Sequence, residues 1–99
     1  MNGVELIAAE RQRQIDVEGW SPKHDDEHTE QELANAACSY IDAAALIQHQ
    51  FTDYTQVPSD WQWNADWWKP SSDPIRNLVK AGALIAAEID RLQRAKEKL

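Results

Sequence analysis

Three stretches of the chain space their apolar residues at helical intervals, and one long stretch does not. In the first, Val4, Ile7, Ala8, Arg11 and Ile15 share a face while Glu5, Arg13 and Asp16 lie off it. That spacing predicts a helix from about Val4 to Val17. Gly19 stands just past its end, where a helix stop is expected, and Trp20 should fold the turn back onto the core. The second stretch opens with Thr29-Glu30-Gln31-Glu32, which reads as a capping box: Thr29 accepts from the third helical amide and Glu32 reaches back. From Leu33 to Ile47 nearly every residue is apolar, Ala36, Ala37, Tyr40, Ile41, Ala44 and Leu46 among them, which predicts a helix buried on most sides. Asn35, Ser39 and Asp42 interrupt it on one stripe, the expected solvent edge. Cys38 lies inside the run and is expected to be a small core hydrophobe.

The third helix should start at Asp73 as N-cap, with Pro74 in the first turn, and run nearly to Leu99. Ile75, Gly82 and Ile89 recur every seventh residue, as do Leu78, Ile85, Leu92 and Leu99. This is a narrow seam of coiled-coil type, to be met within the chain or by a second copy, so a homodimer is one expectation. Ala81, Gly82, Ala83, Ala86 and Ala87 keep the middle thin enough for a close neighbour. Arg91, Arg94, Lys96 and Lys98 suit the negative end of the helix. Between the second and third helices, residues 49–72 carry Pro58, Pro70, Trp61, Trp63, Trp67 and Trp68 and no helical pattern. A loop this long packs on itself, moves as a lid or binds something. The four indoles read first as a second core cluster, and otherwise as an exposed platform for a partner. The predicted fold class is therefore all-α: a compact three-helix domain with a long Trp-rich loop between helices 2 and 3, residues 1–99 forming one domain.

Composition narrows the function classes. With 42% hydrophobic residues in 99, the chain can bury one core. Cys38 is the sole cysteine, so no internal disulfide forms. No run approaches a membrane span and no signal peptide heads the sequence, which places the expectation in a reducing cytoplasm with no membrane partner. The net charge of −7 is one-sided: residues 1–50 hold ten acids and three bases, residues 51–99 seven of each. Seven acids between Asp16 and Glu32 face only Lys23, which disfavours direct nucleic-acid binding. A basic partner, a divalent cation or a solvated acidic loop fits that segment.

The chemically suggestive cluster is His24-Asp25-Asp26-Glu27-His28, followed by Glu32. Imidazole and carboxylate are the usual ligands of divalent metals, so His24, Asp25, Asp26, His28, Glu32 and, on the third helix, Glu88 form a candidate set for Mg or Mn. The competing reading is an acidic loop at a helix N-terminus, with Glu88 engaged in a structural pair with Arg11. No catalytic residue is assigned, because Cys38 and Ser39 sit mid-helix and no glycine-rich elbow surrounds them.

The elements ERQRQIDVEGW (10–20), HDDEHT (24–29), ELANAACSY (32–40), the W-x-W and WWKP elements within 61–70, and RNLVKAGALIAAEIDRL (76–92) together resemble a family of small proteins encoded by tailed phages and prophages. That resemblance implies an accessory protein in a bacterial host cytoplasm, acting by contact with a host protein that it inhibits or redirects. A scaffold built from a structural dimer is an alternative. Some helical phage proteins of this size are labelled MazG-like nucleotide pyrophosphohydrolases, dimers that bind Mg through E-E-x-x-E and E-x-x-D. Neither motif stands here as such: Glu5 and Glu10 are five apart, and Glu88-Ile89-Asp90 has another spacing.

Overall fold

The computed structural model describes residues 1–98, and the sequence patterns account for its three long helices. Helix α1 spans Gly3–Asp16. Its start is set by a capping box the sequence reading missed: Asn2 accepts from the Glu5 amide at 3.0 Å while Glu5 accepts from the Asn2 amide at 3.1 Å. Past its end Gly19 takes a left-handed φ of 74°, where a side chain would be strained. A short helix, α2 (Pro22–Asp25), follows, capped by the Ser21 hydroxyl on the His24 amide at 3.2 Å. Helix α3 spans Glu32–Gln48 and α4 spans Pro74–Glu97, the latter capped by Asp73 on the Ile75 amide at 2.9 Å with Pro74 in its first turn. Among the described residues there is no strand, so the all-α class stands. Leu99, the last position of the sequence seam, lies outside the described residues.

Helices α3 and α4 make the most extensive contact in the molecule. Leu33, Ala36, Ala37, Tyr40, Ala43 and Ala44 of α3 face Ala81, Ala83, Leu84 and Ala87 of α4, all buried. The alanines let the two backbones approach, and Leu33 and Leu84 fill what space remains. Helix α1 lies on α4 as well, with Ile7 seated over Gly82: a Cβ there would come 2.5 Å from Ile7 Cδ1. The middle of the heptad seam is thus taken by α1. Its flanks are not, for Ile75, Leu78, Ile85, Ile89 and Leu92 are 43–61% exposed.

Four local expectations are corrected. The capping box at Thr29 does not form, because both Glu32 oxygens are used elsewhere, one accepting from the Glu30 amide and one meeting His28 Nδ1 at 3.2 Å. Gln31 precedes α3 instead, in the left-handed region at φ 65° with no side-chain cap. Cys38 is exposed, since it lies roughly 200° around the helix from Tyr40 at the centre of the buried face. On the polar stripe of α3, Asp42 is exposed but Ser39 is buried, its hydroxyl donating to the Asn35 carbonyl at 3.1 Å. Finally, Arg11 does not meet Glu88. It donates to Asp25 at 2.5 Å and to the Trp20 carbonyl at 3.2 Å, while Glu88 takes Arg91, one turn along its own helix, at 2.5 Å.

The loop between α3 and α4 is tied down along its length. Turns of 3₁₀ helix at Asp53–Thr55 and Ala65–Trp67 give it local form. Trp68 is buried and donates its indole N–H to the Thr55 carbonyl at 3.1 Å, and the Lys69 amide donates to the Tyr40 hydroxyl at 3.2 Å. Gln62 donates to the Glu30 carbonyl at 2.8 Å and accepts from Asn35. Asn77, fully buried at the start of α4, bonds the Ser71 amide and the Ser71 carbonyl, both at 2.8 Å. The 24 residues that carried no periodicity are held by side chain to backbone bonds instead.

Candidate functional site

One continuous line of aromatic rings runs from the core to the surface. Tyr40 and Trp68 meet at 4.8 Å between centroids, Trp68 and Trp61 at 5.1 Å, and Trp61 and Trp63 edge-on at 5.4 Å. Trp63 then contacts His28 at 5.3 Å and Trp20 at 6.2 Å, and Trp20 contacts Trp67 at 6.1 Å. His24 closes the line, its ring edge-on to His28 at 5.0 Å. Of the four loop indoles named by the sequence, Trp68 is core, Trp61 and Trp63 are half-buried against the core, and only Trp67 is largely exposed, at 45%. They do not form an open platform for a partner, because burying indole surface against Tyr40 and Leu33 is worth more than leaving it in water.

At the outer end of this line the rings separate around a cavity of about 300 Å³. Trp20, Trp63 and Trp67 wall it, His24 and His28 rim it, and Leu33 lies at its base, with Glu18, Asp25 and Asn64 completing the lining. The local sequence explains the arrangement. Gly19 turns Trp20 back over the core, Pro22 starts the short helix α2, and the turn after it, closed by the His28 amide on the Asp25 carbonyl at 3.0 Å, brings the His28 ring back to His24. Helix α2 is itself anchored from two directions: Arg94 grips Asp26 at 2.8 Å and the Pro22 carbonyl at 3.1 Å, and Arg11 grips Asp25. Arg94 is therefore more than a helix-end charge. Burial pushes the Asp25 carboxyl above its ordinary value, and Arg11 beside it offsets only part of that.

A second, smaller cavity of about 40 Å³ adjoins the first and shares Glu18, Trp20, Trp63 and Trp67 with it. Its far wall is charged. Glu10, 3% exposed, receives Arg13 at 2.8 Å and Arg76 at 2.7 Å, and Arg13 also reaches Glu18 at 3.0 Å. Burial alone would raise the Glu10 carboxyl, but the two guanidiniums outweigh it and hold it below its ordinary value. Lys80 enters the same wall, donating to the Lys69 carbonyl at 2.7 Å with its ammonium 5.4 Å from the Tyr40 ring. Two buried polar atoms have no hydrogen-bond partner among the described residues: Gln14 Oε1 and Trp63 Nε1. Both residues line this small cavity.

No family model, no curated protein and no solved structure matches the chain.

The sequence candidates fare unequally in it. His24, Asp25 and His28 all line the larger cavity, as their clustering suggested. Asp26, Glu32 and Glu88 do not join them, for each is matched to a neighbour: Asp26 to Arg94, Glu32 to His28 and Glu88 to Arg91. Among the described residues no group of three or more His, Cys, Asp or Glu side chains is placed to hold a metal ion. Five of the six proposed ligands for Mg or Mn, all but His24, are thus dispersed into four pairings, since a buried or half-buried carboxylate is satisfied most cheaply by a neighbouring basic group. Glu5, one of the acids compared with the hydrolase motifs, is occupied in the α1 capping box. The sequence pattern assigns no site role to Arg13, Gln14, Lys69 or Lys80 and takes Trp20 only for packing. The available signal was Arg13, Gln14 and Trp20 falling within one run that also holds Glu10 and Glu18.

Proposed function

We propose that this chain is a small-ligand-binding domain whose aromatic cavity takes a planar heteroaromatic compound. The observation that carries this is the cavity of about 300 Å³ with three indole walls and two imidazoles on its rim. Ligand sites are characteristically concave and mostly apolar, with a few convergent polar groups. Here those groups are His24, the His28 nitrogen not engaged by Glu32 and the Asn64 amide. They supply donors and acceptors along an edge, which is how a flat ring bearing heteroatoms is oriented. Five tryptophans give the test its signal. Titration with nucleosides, indoles and pterins should quench or shift the intrinsic fluorescence saturably, and Trp67→Ala should weaken that response. A flat signal across all three classes to millimolar concentration would remove the reading.

The aliphatic stripe on α4 favours a second reading, action through protein contact, which the resemblance to phage accessory proteins also implies. Ile75, Leu78, Ile85, Ile89 and Leu92 expose on the order of 450 Å² of apolar surface, at the upper end of what a soluble monomer leaves open. The heptad spacing favours a second copy of the chain as occupant over a host factor. Light scattering behind size exclusion should then give a dimer mass that Ile89→Glu reduces to a monomer. The acidic segment is a poorer contact surface than its sequence implied: of seven acids between Asp16 and Glu32, Glu18, Asp25, Asp26 and Glu32 are already paired within the chain.

A further inference from the structure

The smaller cavity is a concentration of positive charge in an acidic protein. The chain carries ten basic residues and a net charge of −7, yet Arg13, Lys69, Arg76 and Lys80 gather at one place. Glu10 and Glu18 answer two of these charges, through Arg13 and Arg76. Lys69 and Lys80 form no ion pair among the described residues. Lys69 stands 5.1 Å from the Trp67 ring and Lys80 is half-buried, with one of its three ammonium hydrogens given to the Lys69 carbonyl. A half-buried ammonium without an ion-pair partner is unfavourable: burial, with Arg76, Arg13 and Lys69, lowers its pKa, and the nearby Glu10 carboxylate offsets only part of this.

The two cavities share the indoles Trp20, Trp63 and Trp67 in their linings and so lie side by side. The smaller has room only for a compact polar group, and Lys69 and Lys80 line it, while the Glu10 and Glu18 carboxylates in the same lining are already held by arginines. We propose that the ligand of this site is an aromatic anion, its ring among the three indoles and one compact anionic group toward Lys69 and Lys80. This rests on the reading of the larger cavity as a ring site. A carboxylate and a phosphate share the required chemistry, a charge that accepts several hydrogen bonds.

The test compares matched pairs that differ only in the anionic group: indole with indole-3-carboxylate, and adenosine with adenosine 5′-monophosphate. Affinity is followed by tryptophan fluorescence and by calorimetry at two salt concentrations. In at least one pair the anion should bind about ten-fold more tightly, the advantage of a charge-assisted contact. That advantage should shrink at high salt and should be lost in Lys69→Gln and in Lys80→Gln, with the neutral partner binding as before. Lys80→Arg, which keeps the charge, should retain it and shows whether a loss in Lys80→Gln is merely misfolding. The pair that discriminates tells carboxylate from phosphate. Equal affinity within both pairs would overturn the proposal while leaving the ring site intact. Binding of none of the four compounds, with pterins equally silent, would overturn both.

Discussion

The α3–α4 interface and the aromatic side of the molecule solve burial in opposite ways. Between the helices, small alanines interlock around Leu33 and Leu84, and the buried surface is almost purely apolar. On the other side, large rings leave gaps of about 300 and 40 Å³, and polar groups sit in their walls: Asp25 against Arg11, Glu10 against two arginines, and two atoms with no partner. Protein interiors normally pack without voids and without unmet polar atoms. A region that departs from both rules, next to one that keeps them, is where a ligand would complete the structure. Stability should reside in the first region and binding in the second, and substitutions can separate them.

The largest loss of stability is expected from Leu84→Ala, which removes one of the two large aliphatics of the helix interface. Leu84 is 2% exposed, and the cost should be about 3 kcal/mol in urea unfolding. Asn77→Ala comes next, at about 2 kcal/mol, because it strips the Ser71 amide and carbonyl of their partner at a buried position. Its effect should also loosen the Trp-rich loop, visible as faster amide exchange from residues 61–69. If Asn77→Ala proved as mild as a surface change, the loop would have to be held by its rings alone.

Glu10→Gln follows, at about 1–2 kcal/mol near neutral pH, a value moderated by the partial exposure of both arginines. The pH dependence has a definite sign. Glu10 titrates below its ordinary 4.5 in the folded chain, so its ion pairs stabilise fully above 4.5. That contribution is lost as pH falls through the folded value, and parent and variant should converge there. Asp25 acts the other way: its folded value lies above 3.8, so the stability of its protonated form is present below 3.8 and lost as pH rises through the folded value. A gap between parent and Glu10→Gln that widened in acid would contradict the assignment.

The two regions were also unequally legible in the sequence, for the same physical reason. Helix α4 could be read from its cap, its proline and its heptads, because a helix repeats one local geometry. The exposed Ile89 and Leu92 could be placed on a face but not covered, since a stripe does not say what lies over it. That Ile7 would occupy Gly82 depended on a crossing between helices, which no local pattern encodes. The aromatic side has no period at all. The clustering of His24, Asp25 and His28 was visible, yet their partners were not: Arg11 was paired with Glu88 on helix-face arguments, whereas the chain turns at Gly19 and delivers Asp25 to it. Charged side chains choose partners by proximity in the fold, and long flexible arms such as Arg94 reach across 68 residues of sequence. The cavity wall formed by Gln14, Lys69 and Lys80 combines three distant segments, each unremarkable alone.

Stability and binding should come apart most clearly at the residue expected to matter most for binding. Trp67 is 45% exposed and its ring touches Trp20 at one side, with Lys69 stacked nearby. Replacing it by alanine removes only a little over half as much buried ring surface as Trp68→Ala would, so the cost in unfolding should be clearly below that of Trp68→Ala. Yet Trp67 is one of three indole walls of the larger cavity, and without it a bound ring loses one side of its enclosure. Stacking on an indole contributes roughly 1–3 kcal/mol per ring in aromatic recognition, equivalent to about a five- to 150-fold loss of affinity. Trp68→Ala is the converse case: Trp68 is buried, lines neither cavity and anchors the loop, so it should cost stability well before it costs binding per folded molecule. Measuring both quantities for both variants places each tryptophan on one side of the comparison. If Trp67→Ala destabilised the chain as strongly as Trp68→Ala, its exposed ring would be structural, and the division between a closed helix interface and an open aromatic site would fail.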